Sequence, residues 1–322
     1  MRTRSTTRTP ALTEIGFGGA QIGNLSRAVD EDVARGAVDA AWDAGIRYFD
    51  TAPHYGLGLS ERRLGAALRD RPRSDYVLST KVGRLLVDSP DTAHLQDDDG
   101  FAVPAVVRRR WDFSRDGILR SVEESLDRLG LDRIDIAYLH DPDEHWDAAS
   151  TTGIGALIEL RDQGVVSAIG AGMNQARMLA DFVERCDVDT VMVAGRYTLL
   201  DDSAADRLLP LAAERGVGVV AAAVYNSGLL SSPRPSQDAT YDYATAPDAL
   251  RRRALAIADI CERNGVDLPS AAIAHPLRRP EVVSVVVGMR TREQVDSTLA
   301  RHRTRIPAAV WAELSAAGLV AA

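Results

Sequence analysis

Eight short apolar segments recur along this chain of 322 residues, and amphipathic segments separate each from the next. Most of the eight are nearly continuous in Val, Ile, Leu and Ala, a composition typical of strands that are buried on both faces of a parallel sheet. We therefore predict strands at residues 12–17, 46–49, 76–81, 134–139, 165–169, 190–193, 217–222 and 282–287.

The segments between the predicted strands show helical periodicity. In the clearest of them, Ser114 can cap a helix whose apolar residues recur at helical spacing until Gly130. Further helices are predicted at about 33–45, 60–68, 154–163, 175–186, 203–215, 247–263 and 292–301.

Eight strand–helix units without a break in composition predict a (β/α)8 TIM barrel, an α/β fold that forms a single domain over residues 1–322. An open, doubly wound sheet is the weaker alternative. Gln21 stands where the dinucleotide-binding fingerprint that starts at Gly16 needs its third glycine.

The composition excludes several classes of protein. The formal net charge of -8 argues against a nucleic-acid partner, and the arginines at 108–110 are predicted to lie on a solvated loop surface. No apolar run is long enough to span a membrane, and no secretory signal is visible. Cys186 and Cys261 suit neither a disulfide framework nor a usual zinc site. We expect a cytoplasmic protein without a metal, present as a monomer or a small homo-oligomer.

Three connections are longer than a strand–helix turn needs. They span residues 84–113, 141–152 and 229–246, and in a barrel they follow strands at the C-terminal face, where active sites lie. We predict that 84–113, which looks partly mobile, and 229–246 are active-site loops. Aromatic residues in these connections are candidates for the substrate wall: Trp111, His145, Trp146 and Tyr241.

Lys81 is the only lysine among the 38 Lys and Arg residues, and it ends the third predicted strand. A lysine differs most from an arginine where a compact ammonium with an adjustable pKa is needed. Other ionisable residues follow the neighbouring strands: Asp50 and Tyr55 after the second, and His140 after the fourth. Each alone is explained by ordinary packing, but together they predict four groups that converge at one rim of the barrel.

These four side chains suit proton transfer to or from an oxygen atom. A tyrosine has a pKa of about 10, and a nearby ammonium lowers that value. We expect Lys81 to act on Tyr55 in this way, with Asp50 keeping the buried lysine charged. A neutral His140 would orient the reacting oxygen. Proton transfer of this kind, coupled to hydride exchange, requires a redox cofactor.

A specific signature lies around the second predicted strand, namely GIRYFDTAPHYG at residues 45–56, followed by Ser60 and Glu61. The signature resembles that of the aldo-keto reductase superfamily, and the resemblance covers nearly the whole chain, from residue 12 to about 319. The roles that it implies are general acid/base for Tyr55, lowering of the tyrosine pKa for Lys81 with Asp50, and substrate positioning for His140.

Shorter segments resemble one branch of that superfamily, which contains L-fucose or D-threo-aldose 1-dehydrogenases and pyridoxal 4-dehydrogenase. These segments are STKVGRLL at 79–86, HDPD at 140–143, NSGLL at 226–230 and YDY at 241–243. The resemblance implies oxidation of the anomeric hydroxyl of an aldose, such as L-fucose or D-arabinose, to the lactone. NAD or NADP would accept the hydride.

The cofactor phosphates are expected at the turn Gly288-Met289-Arg290-Thr291, because it feeds a helix N-terminus whose free N–H groups attract anions. Gly19 and Asn174 belong to the cofactor site that the resemblance implies. Binding of a ribose phosphate by Arg290 or Arg292 would favour NADP, but the choice between NADP and NAD is open.

The sequence departs from the family pattern where the nicotinamide binds. Ala222 or Ala223 occupies the position of a stacking tyrosine, Tyr225 follows shortly after, and Ala194 replaces a glutamine. The group that stacks on the nicotinamide is therefore left open.

Several other functions remain as alternatives. Within the same superfamily, the chain could be a pyridoxal 4-dehydrogenase or a general aldehyde or ketone reductase. A Schiff-base aldolase would use Lys81 as a neutral amine, although the carboxylate of Asp50 argues against that by raising the lysine pKa. A barrel that binds nicotinamide without catalysis, as a sensor, is the third alternative.

Overall fold

The computed structural model describes residues 1–242 and 244–321, in which eight parallel strands close into a barrel. Each strand pairs with the next along the chain, and the eighth pairs with the first. The predicted (β/α)8 barrel is therefore confirmed. The strands are β1 Ile15–Gly18, β2 Tyr48–Asp50, β3 Val77–Val82, β4 Ile136–His140, β5 Ala168–Met173, β6 Thr190–Ala194, β7 Gly218–Ala222 and β8 Val282–Gly288.

Helices follow the strands and pack side by side around the barrel. The capping predicted for the third helix is observed: the Ser114 hydroxyl accepts a hydrogen bond from the Gly117 N–H, and Gly130 ends the helix with a φ of 62°. The helices are α1 Glu31–Asp43, α2 Leu59–Leu68, α3 Arg115–Leu129, α4 Ile154–Asp162, α5 Ala176–Arg185, α6 Leu208–Arg215, α7 Asp248–Arg263, α8 Leu268–Ala274, α9 Arg292–Arg303 and α10 Ala308–Ala316.

Three predicted elements differ from the structure. The predicted strand 12–17 is divided, because Leu12–Thr13 pairs antiparallel with Thr3–Arg4 and only β1 joins the barrel. The predicted strand 165–169 lies too early, since β5 includes two glycines of low strand propensity. The predicted helix 203–215 is interrupted, because Pro210 has no N–H and is tolerated only in a first helical turn.

The predicted seventh helix, 247–263, exists as α7, but it packs against α10 and α8. The short helix α8 contacts α9 in the ring around the barrel. The sequence prediction missed α8 and α10 altogether. These helices build a second apolar core that is distinct from the barrel cores and includes Leu199, Leu229, Leu230, Ile257, Leu268, Val310 and Leu314.

The two long loops contain paired backbone. Within 84–113, the segment Arg84–Asp88 pairs antiparallel with Val107–Trp111, so this connection is a β-hairpin with a long tip. Within 229–246, Thr240–Tyr241 pairs with Ala244–Thr245, and Tyr243 lies outside the described residues. In the described part of the chain, no helix combines the length and the apolarity that a membrane span needs.

Gly170 in β5 offers a test of the barrel packing. A Cβ at this position would stand 1.6 Å from the carbonyl oxygen of Thr190 in β6. We expect Gly170→Ala to lower the free energy of unfolding by about 3 kcal/mol or more, because β5 and β6 must separate. Chemical denaturation measures this loss.

Gly36→Ala is the matched control. No atom lies within 4 Å of a Cβ at this position in α1, so alanine should raise stability by roughly 0.5–1 kcal/mol through its helix propensity. Equal stability of the two variants would contradict the close contact between β5 and β6.

Candidate active site

Strand alternation directs three ionisable side chains into the barrel. Successive side chains of a strand point to opposite faces. Phe49, Leu78 and Leu139 belong to the outer core that faces the helices. Their neighbours Asp50 and His140, and likewise Lys81, therefore point inward, at the C-terminal ends of β2, β4 and β3.

The Lys81 ammonium and the Asp50 carboxylate form a buried ion pair. Lys81 Nζ donates to Asp50 Oδ2 at 2.7 Å and to the Thr51 carbonyl oxygen at 3.0 Å. Both side chains are only 3% exposed. The second carboxylate oxygen accepts a hydrogen bond of 2.7 Å from the Ser79 hydroxyl, which also lies 3.0 Å from the Tyr48 hydroxyl. Both oxygens of the carboxylate thus accept a hydrogen bond, as a buried charge requires.

The pKa of Lys81 reflects burial and two neighbouring groups whose combined effect exceeds it. Burial lowers the lysine pKa, but the Asp50 carboxylate and the Tyr55 side chain raise it to a value above the ordinary one. The lysine is therefore charged across the physiological pH range.

Tyr55 follows β2 at a sharp turn. Gly56, with a φ of 63°, continues the chain where a Cβ would stand 2.1 Å from the carbonyl oxygen of Gly23, so only glycine fits. This turn places the Tyr55 ring with its centroid 4.6 Å from Lys81 Nζ. The predicted proximity of phenol and ammonium is observed.

Burial raises the pKa of Tyr55 to about 12, even though Lys81 acts to lower it. The expected effect of Lys81 is therefore present, but the tyrosine pKa still lies above its ordinary value. The reason is that the tyrosine is enclosed, and desolvation disfavours the phenolate more strongly than the ammonium favours it. Lys81 limits the rise rather than reversing it.

His140 is neutral, as the sequence argument required. Burial, and then the charges of Arg84 and Lys81, hold the pKa of His140 well below its ordinary value. Its ring stands edge-on to the Tyr55 ring at a centroid distance of 5.8 Å and an interplanar angle of 89°. Within residues 1–242 and 244–321, His140 Nδ1 is buried and has no hydrogen-bond partner. That nitrogen is a polar group on which a ligand can be held.

Three residues that the sequence analysis did not select as site residues lie close to Asp50, Tyr55, Lys81 and His140. They are His54, Arg84 and Arg109. Arg109 Nε donates to His54 Nδ1 at 2.6 Å, and the Arg84 guanidinium forms an ion pair with Asp141. The arginines at 108–110 were predicted to be solvated, but the Arg109 side chain is only 11% exposed. Arg109 is buried because it lies on the inner face of a hairpin. In the sequence, only the period-two spacing of 107–111 could have indicated that burial.

The structure brings two of the four predicted substrate residues together. The Trp111 and His145 rings lie 5.2 Å apart, and the Arg84 guanidinium stands 4.2 Å from the Trp111 ring centroid. Trp146 instead packs on Phe182 of α5 at 4.9 Å. The Tyr241 hydroxyl lies 3.3 Å from Arg196 Nη1 in the loop that follows β6.

The predicted cofactor residues lie at the ends of β1, β5 and β8. The Gly19 N–H donates to the Asp50 carbonyl oxygen at 2.7 Å, and a Cβ on Gly19 would collide with that oxygen. The close approach of the Asp50 carbonyl oxygen thus explains why glycine occupies position 19. Asn174 is exposed directly after β5. Thr291 caps α9 by accepting from the Gln294 N–H at 3.3 Å.

The end of β8 fits the phosphates of a dinucleotide. Arg290 pairs with Gln21, whose side chain lies over Gly288, where a Cβ would meet Gln21 Cγ at 2.7 Å. Across the described residues, Arg290 Nε is buried and lacks a partner. A cation with an unused donor beside the N-terminus of a twelve-residue helix suits an anionic group.

Tyr225 is held by contacts outside the barrel. Its hydroxyl accepts a hydrogen bond of 3.2 Å from Arg301 of α9, and its ring packs against both apolar cores outside the barrel. Ala223 is exposed with a φ of 53°.

Comparison with known proteins agrees with this geometry. A family model described as "Aldo/keto reductase family" matches residues 14–318. The chain belongs to the aldo/keto reductase family. It is accordingly an NAD(P)-dependent oxidoreductase.

Two characterised relatives match almost the whole of this aldo-keto reductase. A D-threo-aldose 1-dehydrogenase from Pseudomonas sp is 49% identical over 96% of this chain and 95% of its own. A pyridoxal 4-dehydrogenase from Microbacterium luteolum is 37% identical over the same shares of the two chains, 96% and 95%. Among solved structures, the holo form of an aldo-keto reductase from Bacillus halodurans is 26% identical, with a TM-score of 0.74 over 97% of this chain and 96% of its own.

The buried ion pair gives a prediction about stability. Lys81→Met should lower the free energy of unfolding at neutral pH by about 3–5 kcal/mol, because the carboxylate of Asp50 is left buried without its partner. The double variant Lys81→Met/Asp50→Asn should recover most of that loss, because no net charge then remains in the site. Urea unfolding of both variants measures the difference; equal destabilisation of the two would contradict a charged pair.

Proposed function

We propose that this aldo-keto reductase oxidises the anomeric hydroxyl of an aldose, such as L-fucose or D-arabinose, to the lactone. The observation that carries the proposal is the convergence of Tyr55, His140 and the Lys81–Asp50 pair at one rim of the barrel. The relative at 49% identity, whose name is D-threo-aldose 1-dehydrogenase, supports the substrate class.

In this proposal, Tyr55 is the general acid/base. During oxidation its phenolate accepts the proton of the anomeric hydroxyl, while the bond between that oxygen and the anomeric carbon becomes a carbonyl. The Lys81 ammonium stabilises the phenolate, and Asp50 keeps the ammonium in place. Neutral His140 holds the reacting oxygen by a hydrogen bond. NAD or NADP, when bound, accepts the hydride from the anomeric carbon.

The cofactor is proposed to extend from Asn174 and Gly19 to Gly288, Arg290 and Thr291. The free donor on Arg290 supports a phosphate at that end. Whether this is the pyrophosphate or a ribose phosphate decides between NAD and NADP, and the assay below compares both.

A Schiff-base aldolase is disfavoured by the charge state of Lys81. Such an enzyme needs a neutral amine as nucleophile, and Asp50 raises the lysine pKa instead. Pyridoxal oxidation is the second candidate function, because a relative of that name is 37% identical.

One assay tests the proposal and its competitors. Absorbance at the reduced-nicotinamide band is followed with L-fucose, D-arabinose, L-galactose and pyridoxal, each with NAD and with NADP. We expect reduction of the cofactor with at least one aldose and formation of the lactone. Turnover of pyridoxal alone would favour the second candidate. Cofactor binding without turnover of any compound would favour a nicotinamide-binding sensor.

Tyr55→Phe tests the assignment of the acid/base. The variant keeps the ring and its packing but cannot exchange a proton, so we expect kcat to fall at least about a thousandfold. The dissociation constant of the cofactor, measured by quenching of protein fluorescence, should change by less than about threefold, since Tyr55 is assigned no cofactor contact. Retained activity would remove Tyr55 from the mechanism.

The pKa of Tyr55 gives a prediction about pH. Burial places this pKa at about 12, so the reactive phenolate is a minor species near neutrality, and its fraction rises about tenfold per pH unit. We expect kcat/KM for aldose oxidation to rise from pH 7 to pH 10. Reduction of an aldehyde needs the protonated phenol and should stay nearly constant over that range. A plateau of the oxidation rate below pH 8 would show that the pKa is much lower.

A further inference from the structure

His54 precedes Tyr55 in the chain, and its ring packs beside both proposed catalytic rings. The centroid of the His54 ring stands 5.9 Å from that of Tyr55 and 5.4 Å from that of His140. The Phe101 ring, at the tip of the hairpin that follows β3, contacts His54 edge-on at 5.2 Å. His54 therefore lies next to the two groups that are proposed to hold the reacting oxygen, and the proposed mechanism gives it no role.

Two arginines fix the proton of the His54 ring on one nitrogen. Arg109 Nε lies 2.6 Å from His54 Nδ1, and Arg84 Nη1 lies 3.3 Å from the same atom. A guanidinium has only donors, so Nδ1 must be the acceptor. The proton of the neutral ring is therefore on Nε2, which becomes a donor.

Burial and the positive charges around His54 keep its ring neutral. Burial, followed by the charges of Arg84, Arg109 and Lys81, lowers the pKa of His54 to about 2. The Asp99 carboxylate lies 4.0 Å from Nδ1, but its side chain is 49% exposed, so water screens it. Tyr55 and His140, the other titratable groups that face the ring, are uncharged near neutrality.

Arg109 is itself held rigidly. Its guanidinium forms an ion pair with Asp97, whose side chain is 2% exposed, and Nη2 donates to the His54 carbonyl oxygen at 3.1 Å. Arg109 thus donates hydrogen bonds to both the backbone and the ring of His54. This arrangement fixes the ring orientation as well as the position of its proton.

The donor on Nε2 is not used by the protein. In the described ranges 1–242 and 244–321, Nε2 has no hydrogen-bond partner, and the His54 side chain is 15% exposed. A preoriented donor beside the proposed reaction centre favours binding of a substrate that has an oxygen atom at that position.

We propose that His54 Nε2–H donates a hydrogen bond to the hydroxyl on the carbon next to the reacting carbon, and that Arg109 is the positioning residue which directs this donor. The proposal rests on the proposed aldose oxidation and deepens it. His54 then favours aldoses that have a hydroxyl group at carbon 2 over substrates that lack this hydroxyl group.

The first test compares D-arabinose with 2-deoxy-D-ribose, which is the same sugar without the 2-hydroxyl. The wild-type enzyme should prefer D-arabinose in kcat/KM by roughly ten- to a hundredfold. His54→Phe keeps a ring but no donor, and should reduce this preference to within about threefold. His54→Gln offers an amide N–H and should restore part of it. If His54→Phe lowers kcat/KM for both sugars by the same factor, the proposal is overturned.

The second test separates positioning by Arg109 from mere structural support. Arg109→Gln removes one of the two nearest charges, so the His54 pKa should move from about 2 toward its ordinary value. We expect a new ionisation on the acid side of the kcat/KM profile for D-arabinose, at a higher pH than in the wild-type enzyme, which disappears in the double variant Arg109→Gln/His54→Phe. Arg110→Gln is the matched control, because the neighbouring Arg110 is 53% exposed and should leave the profile unchanged.

The outcomes distinguish this inference from the proposed function. If the wild-type enzyme oxidises no aldose, the proposed function fails, and this inference fails with it. If D-arabinose is oxidised but the new ionisation is absent in Arg109→Gln, or the sugar preference survives in His54→Phe, only the role of His54 is overturned.

Discussion

The ion pair between Lys81 and Asp50 is the interaction on which the site depends. A lysine and an aspartate that are each 3% exposed would be costly to bury singly, and only their contact at 2.7 Å makes the inward-facing ends of β2 and β3 compatible with a folded barrel. Ser79 and the Thr51 carbonyl complete the set of hydrogen bonds. Because these partners come from two adjacent strands, the position of the ammonium is set by the barrel and not by a loop.

The site combines one charged pair with groups that burial keeps neutral. Burial raises the pKa of Tyr55 to about 12 against the opposing effect of Lys81. Burial together with the nearby cations Arg84 and Lys81 lowers the pKa of His140 far below its ordinary value. The tyrosine is therefore mainly an acid near neutrality, ready to give a proton to a carbonyl oxygen. In the proposed mechanism, Tyr55 serves both directions of the reaction, since only its protonation state changes.

The barrel was predictable from the sequence, because buried parallel strands leave nearly continuous apolar runs and because Asp50, Lys81 and His140 end three of them. The bounds of β5 were predicted wrongly because the strand contains glycines, which have low strand propensity. Glycine is required at 170 because β5 and β6 lie in close contact there. The helices α8 and α10 were missed because their burial depends on contacts with α7 and with distant loops. His54 and Arg109 were missed for a similar reason. A hairpin that pairs 84–88 with 107–111 brings Arg109 into contact with His54, and the period-two spacing of 107–111 is a weak sign of that hairpin.

The burial of Lys81 also determines how the surface of this enzyme reacts. Every other basic side chain except the histidines is an arginine, and the one lysine is 2% exposed and bonded to a carboxylate. Acylating or cross-linking reagents that target lysine side chains therefore find none on the exterior. Modification of Lys81 would instead require that the reagent reach a buried ammonium that is paired with Asp50.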